Sequence, residues 1–218
     1  EIWHFFEEEL RYPIDLIEAS EISTVALESY NVIVLTEGYY SIGESTMEKI
    51  NDWVSAGGRL VAIGSAINKL SGKDGFEIES KGTPEPDTSE KEPPVHHPEP
   101  YAGSDRRSMS DDIPGSIFQT TLDTTHPLCF GLGETYWTLK STTSNYQWLE
   151  EGGNAIYLDD SPRYYGFVGY RALEKTKNTL IAGQEQIGGG SVVYFVDNPM
   201  FRSFWNSGKV LFSNALFF

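Results

Sequence analysis

Along the first third of the chain, short apolar runs alternate with amphipathic stretches. Asn31-Val32-Ile33-Val34-Leu35-Thr36 is a continuous β-branched run, the pattern of a strand buried on both faces. Ser41 and Glu44 have the spacing of a capping box, which predicts a helix starting there. Met47, Ile50 and Val54 would form its inward stripe, and Gly57-Gly58 its stop. Arg59-Leu60-Val61-Ala62-Ile63-Gly64 reads as the next buried strand. Strand, helix and strand in this order predict a βαβ unit with a right-handed crossover, hence an α/β domain with a parallel sheet. Ahead of it, Trp3, Phe6 and Leu10 recur at helical spacing with Glu7, Glu8 and Glu9 between them. A short amphipathic helix ending at Tyr12-Pro13 is expected, then a short strand over residues 14–17.

The pattern breaks over residues 71–115. Pro84, Pro86, Pro93, Pro94, Pro98 and Pro100 sit there among acidic and polar residues, so a long, acidic, Pro-rich and mobile insertion is expected. Order resumes with a strand over residues 116–122 and a turn at His126-Pro127-Leu128. Residues 136–139, 155–158, 179–183 and 191–196 follow as strands, with Gly188-Gly189-Gly190 a turn before the last. Asp197-Asn198-Pro199 ends that strand. Residues 209–216 close the chain as a helix with Leu211, Phe212 and Ala215 facing inward. Residues 1–218 are read as one domain.

Composition narrows the classes of partner. Apolar residues make up 39% of the chain and aromatics 13%, enough for a sizeable core. The net charge of −16 repels phosphate backbones and anionic lipid, so neither nucleic acid nor a membrane surface is an expected partner. No apolar run approaches the roughly 20 residues that span a bilayer. The single cysteine, Cys129, excludes an intramolecular disulfide and a cysteine-based zinc cluster. The chain starts at Glu1 without a basic leader or initiator Met, so it is expected to be a piece of something longer.

Several stretches then fall in a familiar order: Trp3-His4-Phe5-Phe6-Glu7, Gly57-Gly58-Arg59-Leu60-Val61-Ala62-Ile63-Gly64-Ser65-Ala66, Ile113-Pro114-Gly115-Ser116-Ile117-Phe118, Thr125-His126-Pro127-Leu128, and Val196-Asp197-Asn198-Pro199-Met200-Phe201-Arg202-Ser203-Phe204-Trp205. Together they resemble the class I glutamine-amidotransferase-like domain that follows the catalytic domain of secreted bacterial zinc carboxypeptidases of the M14 type. The resemblance implies a flavodoxin-like three-layer sandwich with a mostly parallel sheet. It implies a secreted or periplasmic location and a catalytic zinc domain upstream, which would be the partner of this domain. Zinc is expected in that domain, and no cofactor in this chain. Such domains open with a central strand before the first helix. Here the sequence begins at the helix, so either that strand lies upstream or another segment takes its place.

Active amidotransferase-like domains carry a Cys at a sharp strand-to-helix turn, a His as base and an acid to orient it. The matching turn is Gly64-Ser65-Ala66, with Ser65 in place of the Cys, and no His follows the late strand. His126 is the one alternative base, for a divergent serine hydrolase with Ser65 as nucleophile. Without that pair, no catalytic residue is expected. In open α/β sheets ligands sit beyond the carboxyl ends of the strands. That edge is expected to gather Glu37, Gly38, Gly64, Ser65, Asp197, Asn198 and Arg202, as a cleft for a small molecule or glycan. No metal site is expected. His4 and Glu7 have the His-x-x-Glu spacing of zinc peptidases but lie among core aromatics, and His96-His97 with Glu99 sit in the insertion. Cys129 is read as an inert buried thiol. Among Trp3, Phe5, Phe204, Trp205, Phe217 and Phe218, some are expected on the surface, facing the upstream domain.

Overall fold

The computed structural model describes residues 1–82 and 101–218. The chain enters through one helical turn, α1 (Ile2–His4), which widens into π-type turns over Phe5–Leu10. Arg11 stops it in the left-handed region, φ 52°. A π-turn holds an extra residue, so positions three and four apart no longer share a face. Phe5 and Phe6 are therefore the buried pair, while Trp3 and Leu10 are exposed, unlike the expected stripe of Trp3, Phe6 and Leu10. Residues 14–17 form no strand. Ile14 and Ile17 pack against the two different cores, and no neighbouring chain offers them a ladder.

Strand β1 (Val32–Leu35) leads to helix α2 (Glu44–Ser55), capped by Gly43 in extended geometry rather than by the side chain of Ser41. Gly57, at φ 121°, turns the chain out of the helix. Gly58 lies flat against the Trp53 ring, where a Cβ would collide. Strand β2 (Arg59–Ile63) then pairs with β1 in parallel, Val32 opposite Arg59. Beyond it the span expected to be an insertion is packed at both ends. Phe76, Ile78 and Ile113 are buried, and α3 (Ser104–Ser110) forms before the chain re-enters the core. The prolines from Pro84 to Pro100 lie outside the described residues.

The run over residues 116–122 is two strands, β3 (Ser116–Gln119) and β4 (Thr121–Leu122), in different sheets. Between them the Thr120 hydroxyl donates to the Tyr136 carbonyl at 2.9 Å and pins the corner. The remaining elements are β5 (Trp137–Lys140), β6 (Gly153–Leu158), β7 (Tyr164–Gly166), α4 (Tyr170–Thr176), β8 (Thr179–Ile187), β9 (Gly190–Phe195) and α5 (Asn206–Phe217).

The large sheet has the order β1-β2-β9-β8-β6-β4, and the small one β5-β3-β7. In the large sheet β1, β2, β9 and β6 run one way and β8 and β4 the other. It is mostly parallel in strand direction, although β8 enters antiparallel to both its neighbours. β2 pairs directly with β1 and β9, so among the described residues no other segment stands between these three as a further central strand. β1 is consequently an edge strand, only half-buried over Val32, Ile33 and Val34, rather than covered throughout.

Alternation along the central strands makes two cores. Leu60, Ala62, Val192 and Tyr194 face α2, with Ile50, Trp53 and Val54. Val61, Ile63, Val193 and Phe195 face α5, with Leu211, Phe212 and Ala215, and Phe5 and Phe6 join them. Helix, sheet and helix form the three layers of a flavodoxin-like sandwich. The small sheet packs Phe118 into the α5 side.

Candidate functional site

The parallel strands deliver three turns to one edge. β1 ends in Thr36-Glu37-Gly38, β2 in Gly64-Ser65, and β9 in Val196-Asp197-Asn198. The end of β5 closes the side with Ser141, Thr142 and Ser144. Between them lies a cleft of about 80 Å³ lined by Glu37, Gly64, Ser65, Asp197, Asn198 and Phe201, together with those hydroxyl residues. Five of the seven residues expected at this edge therefore line one cleft, at the place where open α/β sheets hold ligands. Gly38 sits just behind it, bonded to Ser65.

The turn after β2 places its left-handed residue at Gly64, φ 56°, and not at Ser65. A nucleophile elbow puts the reactive side chain on the strained residue. Here that position has no side chain, and a Cβ on it would stand 3.2 Å from the Glu37 carboxyl carbon. The Ser65 hydroxyl accepts from the Gly38 N–H at 3.1 Å and donates to the Gly38 carbonyl at 3.5 Å. Ser65 thus ties the end of β1 to the end of β2.

The structure does not bring His126 to Ser65. His126 caps a short turn, its Nδ1 accepting the Leu128 N–H at 3.1 Å. Its ring lies against Gly153 of β6, where a Cβ would collide with it. Three strand spacings separate β6 from β2, about 14 Å at ordinary sheet geometry. Burial holds the imidazole below its usual pKa, against a weaker opposing pull from Asp123. Both observations describe a neutral, structural histidine.

Asn198 and Arg202 belong to the loop beside the cleft. Asn198 closes its turn by accepting the Met200 N–H at 2.9 Å, and its amide donates to Glu1 at 2.8 Å. Arg202 contributes its backbone N–H to Glu1 at 2.6 Å, while its guanidinium lies over the Phe201 ring, 5.3 Å from the centroid. Arg202 and Ser203 both occupy the left-handed region, at φ 48° and 57°. Two such residues in succession are uncommon outside functional or tightly held loops.

Lys140 was not among the residues expected at this site. It is fully buried, its ammonium 3.6 Å from Asp197 Oδ1 and donating to the Ser144 carbonyl at 2.7 Å. The other carboxylate oxygen, Oδ2, accepts from Thr138 at 2.9 Å. The only available signal was the period-two alternation of Trp137-Thr138-Leu139-Lys140, which puts Thr138 and Lys140 on one face. A lysine there reads as the polar end of an edge strand until a second sheet covers it. Burial, with the nearby Asp197 charge second, pushes the Tyr136 hydroxyl far above the usual range.

Other candidates fall elsewhere. Cys129 is buried, donates weakly to the Ala155 carbonyl at 3.4 Å, and has its thiol pushed up to about 11 by burial. His4 is half exposed, its Nδ1 3.9 Å from Glu9. Among the described residues no group of three or more His, Cys, Asp or Glu is placed to hold a metal ion. His96, His97 and Glu99 lie outside those residues. A wider cleft of about 590 Å³, lined by Glu77, Glu150, Glu151 and Glu185, opens at the opposite end of β9. Its buried member, Glu185, is occupied internally: it accepts the Tyr194 hydroxyl at 2.6 Å and the Glu77 N–H at 2.8 Å. The smaller cleft, where strand ends converge on a buried ion pair, is the better functional candidate.

The sheet, its flanking helices and the strand-end cleft define a class I glutamine-amidotransferase-like fold. The chain is similar to a ThuA-like protein from Bacteroides uniformis, with 12% identity over 98% of this chain and 79% of that one, at a TM-score of 0.54. A cytoplasmic protein from Salmonella typhimurium shares 16% identity over 94% and 80%, with a TM-score of 0.49. A ThuA-like protein from Parabacteroides merdae shares 14% over 87% and 70%, with a TM-score of 0.45. At 12% identity, the likeness to the Bacteroides uniformis protein is one of fold. No protein-family model matches the sequence, and no curated protein matches it either.

Proposed function

We propose that this chain is a noncatalytic accessory domain of a secreted zinc carboxypeptidase, with proteolysis the work of a separate catalytic domain. The observation that carries the noncatalytic part is the turn after β2. Its strained position is Gly64, and the hydroxyl beside it donates its one proton to the Gly38 carbonyl while accepting from the Gly38 N–H. A serine nucleophile needs a base in hydrogen-bond reach to draw off its proton. Ser65 has none among the described residues, and His126 lies three strands away. The peptidase partner and the secreted location rest on the sequence stretches quoted above, from Trp3 to Trp205.

Treatment with a serine-reactive fluorophosphonate, followed by intact mass, tests the reading. The unmodified mass is expected, together with no metal-dependent release of C-terminal residues by the isolated chain. A stoichiometric adduct absent from Ser65→Ala would overturn it in favour of a hydrolase.

A second reading concerns the cleft. What supports ligand binding there is the convergence of three strand-end turns, which gathers Glu37, Ser65 and Asp197 beside the Ser141 and Thr142 hydroxyls.

A further inference from the structure

A row of aromatic rings runs from the outer face of the small sheet to the cleft. Tyr165 of β7 and Trp137 of β5 lie 5.6 Å apart between centroids. The Trp205 indole N–H donates to the Trp137 carbonyl at 2.9 Å. Trp205 meets Phe204 at 5.9 Å, and Phe204 meets Phe201 at 6.0 Å. Phe201 is itself a wall of the cleft. Tyr165 and Phe204 are more than half exposed, at 54% and 58%. The rings meet at tilted or edge-on angles of 40°, 55° and 78°, so the row is not sealed by ring-on-ring stacking.

We propose that this aromatic row and the adjoining cleft bind a neutral oligosaccharide, the row carrying the sugar rings and the cleft receiving the hydroxyl-bearing edge of one of them. The proposal rests on the reading of the cleft as a ligand site. Three observations select this occupant. A pyranose presents an apolar C–H face that stacks on an aromatic ring and an equator of hydroxyls, each both donor and acceptor. The cleft supplies matching groups: the Glu37 carboxylate as acceptor and the Ser141, Thr142 and Ser144 residues along the side formed by the end of β5. At about 80 Å³ it admits an edge and not a whole ring, which leaves the rings to the row outside.

Charge supplies the third. At −16 the protein repels polyanions, and the Glu37 carboxylate in the cleft opposes an anionic ligand locally, whereas a neutral polyol is indifferent to the field. The row crosses the face of the small sheet from β7 to β5. It therefore offers stacking without the main-chain ladder that an added peptide strand would use.

Intrinsic tryptophan fluorescence, to which Trp137 and Trp205 contribute, is titrated on the full chain with four neutral hexasaccharides, of β-1,4-linked glucose, N-acetylglucosamine, xylose and mannose. Polygalacturonate and a proline-rich peptide serve as controls. At least one hexasaccharide is expected to saturate the signal, unaffected by 0.5 M salt as an order-of-magnitude screen of about 4 Å. The variant Tyr165→Ala/Phe204→Ala, which removes two exposed rings and the Arg163 contacts of the first, is expected to bind roughly tenfold more weakly or worse with its circular dichroism unchanged. No saturable binding of any hexasaccharide, undiminished binding by the variant, or preference for the peptide or the polyanion would each overturn the proposal. None of these outcomes bears on Ser65, so the noncatalytic reading stands or falls separately on the fluorophosphonate experiment.

Discussion

The Lys140 ammonium and the Asp197 carboxylate face each other across 3.6 Å where the end of the small sheet meets the end of β9, both side chains sealed from solvent. Removing one partner leaves the other charge buried and uncompensated. Lys140→Met is expected to lower stability by about 3–5 kcal/mol. Lys140→Met/Asp197→Leu is expected to recover part of that loss, since neither charge then remains. Urea unfolding of the two variants beside the parent measures both terms.

Gly64 is held at φ 56° with the Glu37 side chain packed over it. Gly64→Ala is expected to lose about 1–2 kcal/mol from the left-handed backbone alone. Adding Glu37→Ala removes the contact but not the strain, so the double variant is expected to remain destabilised. Full recovery in a thermal melt would show that crowding, and not backbone geometry, reserves this position for glycine.

The half-buried His126 and the buried Glu185 impose opposite pH dependences. Burial lowers the His126 pKa, so below about 6.5 the unfolded chain takes up a proton before the folded one, and stability falls as the pH falls towards the depressed value. Burial raises the Glu185 pKa, so the folded chain keeps a proton that the unfolded chain has released. That contribution is complete below about 4.3 and is lost as the pH rises through the elevated value. His126→Asn keeps an acceptor for the Leu128 N–H and is expected to flatten the acid-side slope of melting temperature against pH. Glu185→Gln imitates the protonated acid and is expected to flatten the slope at higher pH.

The Cys129 thiol, 3% exposed and raised to about 11, is expected to resist a disulfide reagent at pH 8 in the folded protein. In denaturing urea one equivalent is expected to react at once. Labelling that tracks the unfolding curve would confirm that access is gated by the fold.

The βαβ unit was legible because its signals are local. Val32 to Leu35, the stripe of Ile50 and Val54, and Gly57-Gly58 each declare their element within a few residues. Leu211, Phe212 and Ala215 likewise gave the inward face of α5. Elements that depend on distant partners were not legible. Residues 14–17 have strand composition but nothing to pair with, and the run over residues 116–122 divides because Thr120 is drawn to Tyr136. The π-type turns after His4 shifted the buried face from Trp3 and Leu10 to Phe5 and Phe6. At the cleft, Glu37, Gly64, Ser65, Asp197 and Asn198 could be named from strand ends alone. Lys140 could not, because its burial exists only where two sheets meet, and Arg202 turned its side chain onto Phe201 instead.

Leu60 of β2 lies beside Val192 of β9, partners separated by more than half of the chain. The cleft residues Ser65 and Asp197 therefore come together only after the two ends of the molecule have met. Such contacts form late in folding and slow it. The same arrangement makes the intervening span forgiving, because doubling a flexible loop raises its closure entropy by only about 0.6 kcal/mol. Over evolutionary time the connection between the buried residues Ile78 and Ile113 is free to lengthen, shorten or change composition while the cleft at the strand ends is inherited intact.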